Sequence, residues 1–298
     1  MKKNVLFVSL LLSLSFMHAQ QINKLSLSDF YYPSFSPDGN KILVTSENYK
    51  GLWLYDLELS SLQQISDDFG AGYEPVFSND GNSIIYRTND YKERIKYSSL
   101  KEYNLQNKTH KSIVDNVREL SLPLVISNSA VAFVQENQIK EFSYSLMKTA
   151  EPIPVVFIEK SKIALIENGG KTIFEPWGEG NYIWPSISPD GKLLLFTLAG
   201  KGTFISDLDG NVFYELGKAN APCWSGNGEY VVYMIDEDDG QAVTASDIYM
   251  FKLSDFKVTK LTNTDEIYEM YPKCSSSGNI IVFNTDAGEI YLLNLDIE

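Results

Sequence analysis

The 298-residue sequence sets 25 Lys and Arg against 39 Asp and Glu, a formal net charge of −14, and contains only two Cys and two His. An acidic balance of this size disfavours nucleic acid and anionic lipid surfaces, both of which are engaged through Lys and Arg. Basic proteins, cationic peptides and neutral sugars stay open as partners. His18 falls in the leader described next, so His110 alone remains, and no histidine cluster exists to hold a catalytic transition metal. No metal and no cofactor is expected.

The chain opens with Lys2 and Lys3, an apolar run from Val5 to Phe16, and the small-residue exit Met17-His18-Ala19. This pattern reads as a secretory signal peptide over residues 1–19, cut after Ala19. The run is shorter than the ~20 residues a spanning helix needs, and no Cys follows it to accept a lipid. Removing Lys2 and Lys3 lowers the net charge from −14 to −16. Residues 20–298 are expected to form one exported domain, without a transmembrane segment and acting as a monomer.

A short signature then recurs along the chain. The copies are Pro33-Ser-Phe-Ser36-Pro-Asp-Gly39, Pro75-Val-Phe-Ser78-Asn-Asp-Gly81, Pro185-Ser-Ile-Ser188-Pro-Asp-Gly191, Pro222-Cys-Trp-Ser225-Gly-Asn-Gly228 and Pro272-Lys-Cys-Ser275-Ser-Ser-Gly278, with a decayed copy at Pro123. Repetition on this scale marks an array or propeller. Each proline begins a strand, and Ser-Pro-Asp-Gly makes a tight turn because Pro fixes φ, Asp bonds nearby amides and Gly accepts positive φ. A continuous apolar strand follows: Ile42–Val44, Ile84–Tyr86, Val131–Val134, Leu193–Phe196, Tyr230–Tyr233 and Ile280–Phe283. Such runs suit strands buried on both faces. A third strand, clearest at Leu52–Leu57, and a polar fourth, as at Leu62–Ile65 and Val258–Leu261, complete each unit. Four strands per unit describe a propeller blade.

The prolines are spaced 42, 48, 62, 37 and 50 residues apart. The interval of 62 holds surplus strands at Val155–Ile158, Ile163–Ile166 and Thr172–Phe174, either an insertion in the third blade or a seventh blade without its signature. Six four-stranded antiparallel blades are expected. The segment Ile22-Asn-Lys-Leu25 matches the fourth-strand segment Val258-Thr-Lys-Leu261, and the last repeat runs out before a fourth strand. The N-terminal strand is therefore expected to join the last blade, removing exposed strand edges.

The Ser-Pro-Asp-Gly turns at 36–39 and 188–191, each followed by a Lys-containing stretch and an apolar strand, resemble the WD40-like (PD40) propeller repeats of the TolB family. The same repeats form the propellers of prolyl-oligopeptidase-type peptidases. The resemblance covers about residues 22–298 and implies an all-β six-bladed β-propeller, exported and docking onto a cell-envelope protein. The sequence shows neither the N-terminal α/β domain that accompanies TolB's propeller nor the peptidases' hydrolase domain. The shared motif is a structural turn, so no binding residue carries over.

Reactive chemistry leaves few traces. A Gly-x-Ser-x-Gly nucleophile elbow is absent, and Trp224-Ser225-Gly226-Asn-Gly228 is the repeated turn. The acidic run Asp236–Asp239 has Gly240 in fifth place and no distal Glu, unlike a dedicated calcium loop, and reads as a solvated loop. Cys223 and Cys274 follow their prolines by one and two places, so strand alternation points them different ways; two buried thiols are expected. The informative pattern lies at the entry to the first strands, in segments such as Asp29–Tyr32, Asp67–Glu74, Gly180–Trp184 and Asp265–Tyr271. Aromatic and acidic side chains there would converge on a channel mouth. The expected contacts are Tyr32, Tyr73, Glu74, Tyr182, Trp184 and Tyr271, Tyr and Trp being frequent interface anchors. The reading is a non-catalytic, periplasmic or otherwise exported module that binds a protein or peptide. The alternative is a carbohydrate-active hydrolase or lyase using channel acids, for which no catalytic pair can be named.

Overall fold

The structure is a computed structural model that describes residues 21–127, 129–136, 138–144, 154–167 and 170–295. The predicted signal peptide lies outside the described residues. The described residues gather into two compact units, Lys24–Val155 with Ala287–Ile290, and Val156–Asp286 with residues 21–23 and 291–295.

The strands form seven sheets. A short first strand β1 (Ile22–Lys24) precedes the first blade, β2 (Tyr31–Phe35), β3 (Lys41–Thr45), β4 (Lys50–Asp56) and β5 (Ser61–Phe69). The second blade is β6 (Val76–Phe77), β7 (Ser83–Lys92), β8 (Ile95–Asn104) and β9 (Thr109–Val117). The third is β10 (Leu124–Ser127), β11 (Ala130–Gln135) and β12 (Gln138–Ser143), and the fourth β13 (Val155–Glu159), β14 (Lys162–Glu167) and β15 (Gly170–Phe174). The fifth is β16 (Tyr182–Ile187), β17 (Leu193–Leu198), β18 (Gly202–Asp207) and β19 (Val212–Gly217). The sixth is β20 (Asn220–Trp224), β21 (Tyr230–Asp238), β22 (Val243–Lys252) and β23 (Lys257–Lys260). The last is β24 (Glu269–Cys274), β25 (Ile280–Thr285) and β26 (Ile290–Asn294), to which β1 adds as the fourth strand in the order β1-β26-β25-β24.

This is an all-β propeller of seven blades, which corrects the expected six. The surplus strands between Pro123 and Pro185 form a sheet of their own, β13-β14-β15. That blade carries no signature because its first turn is of another kind. Lys160 and Ser161, at φ +50° and +66°, close a two-residue hairpin between β13 and β14. Positive φ at both central positions is the type I′ arrangement, whose twist suits adjacent strands. The strand number per blade also departs from expectation, since the third and fourth sheets have three described strands.

The signature encodes a hydrogen-bonded knot. Ser188 Oγ donates to Asp190 Oδ1 at 2.6 Å and accepts the Leu193 N–H at 2.9 Å. Its own N–H donates to Leu193 O, and the Gly191 N–H to Ser188 O, both at 2.8 Å. The same pattern recurs around Ser36, Ser78, Ser225 and Ser275, with Asp38, Asp80, Asn227 and Ser277 in the third place. All five serines are buried. The hydroxyl bonds from Ser36 and Ser188 hold Asp38 and Asp190 below the ordinary carboxylate range. Ser188→Ala leaves the half-buried Leu193 amide without its side-chain partner and is expected to cost about 1–2 kcal/mol, read from urea unfolding midpoints.

The core is built between neighbouring blades. Leu43, Leu52, Leu54 and Ile65 of the first blade pack against Phe77, Ile84, Tyr86 and Tyr103 of the second. Val156, Ile163 and Leu165 of the fourth meet Leu194, Phe196 and Phe204 of the fifth. Second strands are thus covered on both faces, which explains their unbroken apolar runs although the pairing is antiparallel.

Candidate functional site

The residue before the repeat proline is left-handed in five blades. Tyr32, Glu74, Trp184, Ala221 and Tyr271 have φ of +52°, +49°, +51°, +46° and +54°. Leu122, before the decayed Pro123, does not share this conformation. In β2, β16, β20 and β24 the ladder shifts register across that position, between Tyr31 and Ser34, Ile183 and Ser186, Asn220 and Cys223, and Met270 and Lys273. Each is a β-bulge on an edge strand, a device that re-aims a side chain. A bulky residue before proline is normally extended, so the bulge costs on the order of 1–3 kcal/mol per site. Four of the six predicted contact residues occupy this one repeated position.

In the unit of residues 24–155 the structure brings Tyr32, Tyr73 and Glu74 together with two residues the sequence did not single out. Tyr32 stacks on Tyr49, with centroids 4.5 Å apart and planes at 24°. Tyr49 meets Tyr73 edge-on at 4.8 Å. The Arg87 guanidinium lies 5.9 Å from the Tyr73 ring centroid. Tyr49, itself at φ +55°, sits in the turn between β3 and β4, where its N–H donates to Ser46 O at 3.0 Å. The Gly72 N–H donates to Tyr49 O at 3.3 Å, tying this turn to the β5–β6 connection that carries Tyr73 and Glu74.

Exposure grades along this aromatic run. Tyr73 is 38% exposed and Glu74 exposed, while Tyr32 and Tyr49 are half-buried. Burial, and then the Glu74 charge, push the Tyr73 hydroxyl above its ordinary pKa. Burial likewise lowers Arg87, opposed by Tyr73 and Glu74. Arg87 Nη1 donates to Leu120 O at 3.0 Å, whereas its buried Nε has no hydrogen-bond partner.

The other predicted residues lie in the second unit and behave differently from one another. Tyr182 is fully buried. Its hydroxyl donates to Gly178 O at 2.7 Å and accepts the Trp177 N–H at 3.1 Å, so it braces the turn before β16. Trp184 and Tyr271 are half-buried on their bulges, and the Tyr271 N–H points to Met234 Sδ at 3.4 Å. His110 Nδ1 lies 3.0 Å from the Tyr86 hydroxyl, on the polar outer strand β9. Asp238 and Asp239 of the 236–240 run serve their own hairpin, Asp239 Oδ1 accepting the Gln241 and Ala242 N–H groups at 2.9 Å, whereas Asp236 accepts the Asn220 side-chain amide. Among the described residues no three His, Cys, Asp or Glu side chains gather as a metal-holding group.

A propeller carrying a tyrosine array at the entry to its first strands is the class this chain defines. No family model and no curated protein matches the sequence. Solved structures share the fold. The β-propeller domain of Cps50 (Swd1) from Myceliophteria thermophila aligns with a TM-score of 0.63 at 12% identity, over 93% of this chain and 100% of that domain. An oligogalacturonate lyase in complex with manganese gives 0.51 at 16% identity, over 89% of this chain and 76% of the lyase. TolB from Acinetobacter baumannii gives 0.46 at 16% identity, over 90% of this chain and 55% of TolB. At such identities the first two likenesses establish the propeller fold, and function has to be argued from the site.

Proposed function

We propose that the chain is an exported, non-catalytic propeller that binds an extended, positively charged segment of a protein partner, in the periplasm or beyond it. The single observation that carries this reading is the Tyr32–Tyr49–Tyr73 array, in which Tyr32, Tyr49 and the neighbouring Glu74 sit on left-handed backbone. Left-handed backbone at Tyr32, Tyr49 and Glu74 beside the exposed Tyr73 holds these side chains in one arrangement, and such strain is often found at binding sites. Lys or Arg side chains over tyrosine faces gain cation–π attraction, and Glu74 supplies a matching charge. The acidic balance of the chain favours the same partner chemistry. Export rests on the leader at residues 1–19; among the described residues no helix is long and apolar enough to cross a membrane.

The test uses the protein expressed with its leader and recovered from the envelope fraction. Intact mass should place the mature N-terminus at Gln20. Capture of envelope proteins, followed by titration of a Lys-rich peptide from the captured partner, should show at least a hundredfold weaker binding for Tyr32→Ala/Tyr49→Ala/Tyr73→Ala, about 1–2 kcal/mol per anchor. Unchanged capture and affinity would remove this face from consideration. Turnover of oligogalacturonate, abolished by Glu74→Gln, would replace the binding module with a carbohydrate-active enzyme.

A further inference from the structure

Cys223 on β20 and Cys274 on β24 open the sixth and seventh blades, and their Sγ atoms stand 3.6 Å apart. Their opposite strand parity was expected to separate them. It brings them together instead. Blades stack face against face, so a residue of one blade meets a residue from the opposite face of the next. The two thiols lie against a single apolar cluster that includes Tyr230, Val232, Ile281 and Phe283. Cys223 is buried and Cys274 half-buried. The hydrogen bond from Cys274, with Lys273 adding positive field against burial, holds the Cys223 thiol below its ordinary pKa.

We propose that Cys223 and Cys274 are an interblade dithiol that a disulfide-class oxidant converts into a covalent clamp between the sixth and seventh blades. Closing from 3.6 Å to a bond of about 2.05 Å brings the two sulfurs about 1.5 Å nearer. One thiol of the pair loses its proton and attacks the oxidant's disulfide, forming a mixed disulfide and releasing one thiolate. The other thiol then loses its proton, attacks the protein sulfur of the mixed disulfide and displaces the second thiolate. Two protein thiols lose two protons and two electrons, and the oxidant's disulfide becomes two thiols.

Purified full-length protein is treated with oxidised glutathione or with reductant, denatured, and reacted with a maleimide. The oxidised sample should lose both maleimide adducts and yield one linked peptide pair containing Cys223 and Cys274. A bond closing a span of 51 residues should raise the melting temperature by roughly 5–10 °C, reversibly with reductant. Cys274→Ser should show neither the linkage nor the rise, and the wild-type mass readout stands even if that variant folds poorly. Thiols that both stay maleimide-reactive, intermolecular dimers in place of the linked pair, or an oxidised chain melting no higher than the reduced one would each overturn the clamp.

Discussion

Gly226→Ala is expected to destabilise the protein by about 3 kcal/mol, lowering the melting temperature by roughly 5–10 °C. A Cβ at this position would lie 1.9 Å from Ser276 O, 2.4 Å from its carbonyl carbon and 2.6 Å from its Cα. The obstacle is backbone, so no side-chain rotation relieves it. Gly226 occupies the second place of the sixth blade's serine knot, and Ser276 holds the same place in the seventh. The other knots carry Pro37, Asn79 and Pro189 there. The sixth copy departs from the pattern because the next blade's turn is pressed against it. The two knots are themselves rigid, with the Gly228 N–H on Ser225 O and the Gly278 N–H on Ser275 O, each at 2.9 Å. Relief must therefore come from shifting one blade end against the other. Asn79→Ala, at the same place in an exposed turn, is the control and should stay within about 0.5 kcal/mol. Urea denaturation of the three proteins reads the difference, and a Gly226→Ala loss no larger than that of the control would show that the close approach is not rigid.

The serine knots explain why so much of this fold was legible in the sequence and why the blade count was not. A buried Ser bonded to an Asp, Asn or Ser two places on and to an amide five places on demands one residue pattern, so five blades announce themselves. The pattern reports a turn and not a blade. Where Lys160-Ser161 makes the same connection in two residues, a full sheet left no signature, although its strands were visible as apolar runs. The N-terminal closure was legible because Ile22–Leu25 had to look like a fourth strand to serve as one.

The candidate site was legible in part for a similar reason. The aromatic before the repeat proline could be seen at Tyr32, Trp184 and Tyr271, but its left-handed backbone could not, since proline disposes its predecessor to extension. Tyr182 looked equivalent to these residues. It lies before the bulge, paired with Leu198 in regular ladder, and points into the core beside Phe196. Tyr49 and Arg87 were missed because their nearness to Tyr73 is set by the β3–β4 turn and by β7, which strand alternation alone does not relate. Cys223 and Cys274 show the reverse case: the parity was read correctly, and stacking of neighbouring blades turns opposite parity into contact.

Glu269→Gln is expected to stabilise the protein by about 2–3 kcal/mol at pH 8 relative to its effect at pH 4.5. The sequence places Glu269 among the acids of a strand entry, where solvation would be ordinary. The structure buries it completely. Its Oε1 accepts the Thr264 hydroxyl at 2.9 Å, and its Oε2 has no hydrogen-bond partner. Burial, with Asp247 adding repulsion, pushes its pKa up to about 7 from 4.5, against the Thr264 and Thr262 hydroxyl bonds. The neighbouring Lys260 ammonium is engaged with Asp247 at 2.8 Å. A carboxyl raised in the native state binds more protons there than in the unfolded chain between pH 4.5 and 7, so stability falls as pH rises through that window and is level above it. Carboxylates held low, such as Asp38, give the opposite slope at lower pH, but they are common to both proteins and cancel in the comparison. The neutral amide of the variant removes both the burial cost of the charge and the repulsion from Asp247. Urea unfolding of wild type and variant at pH 4.5, 6 and 8 gives the difference directly. It should grow between the first and last values, and a difference that stays constant across them would mean that Glu269 titrates as an ordinary carboxylate.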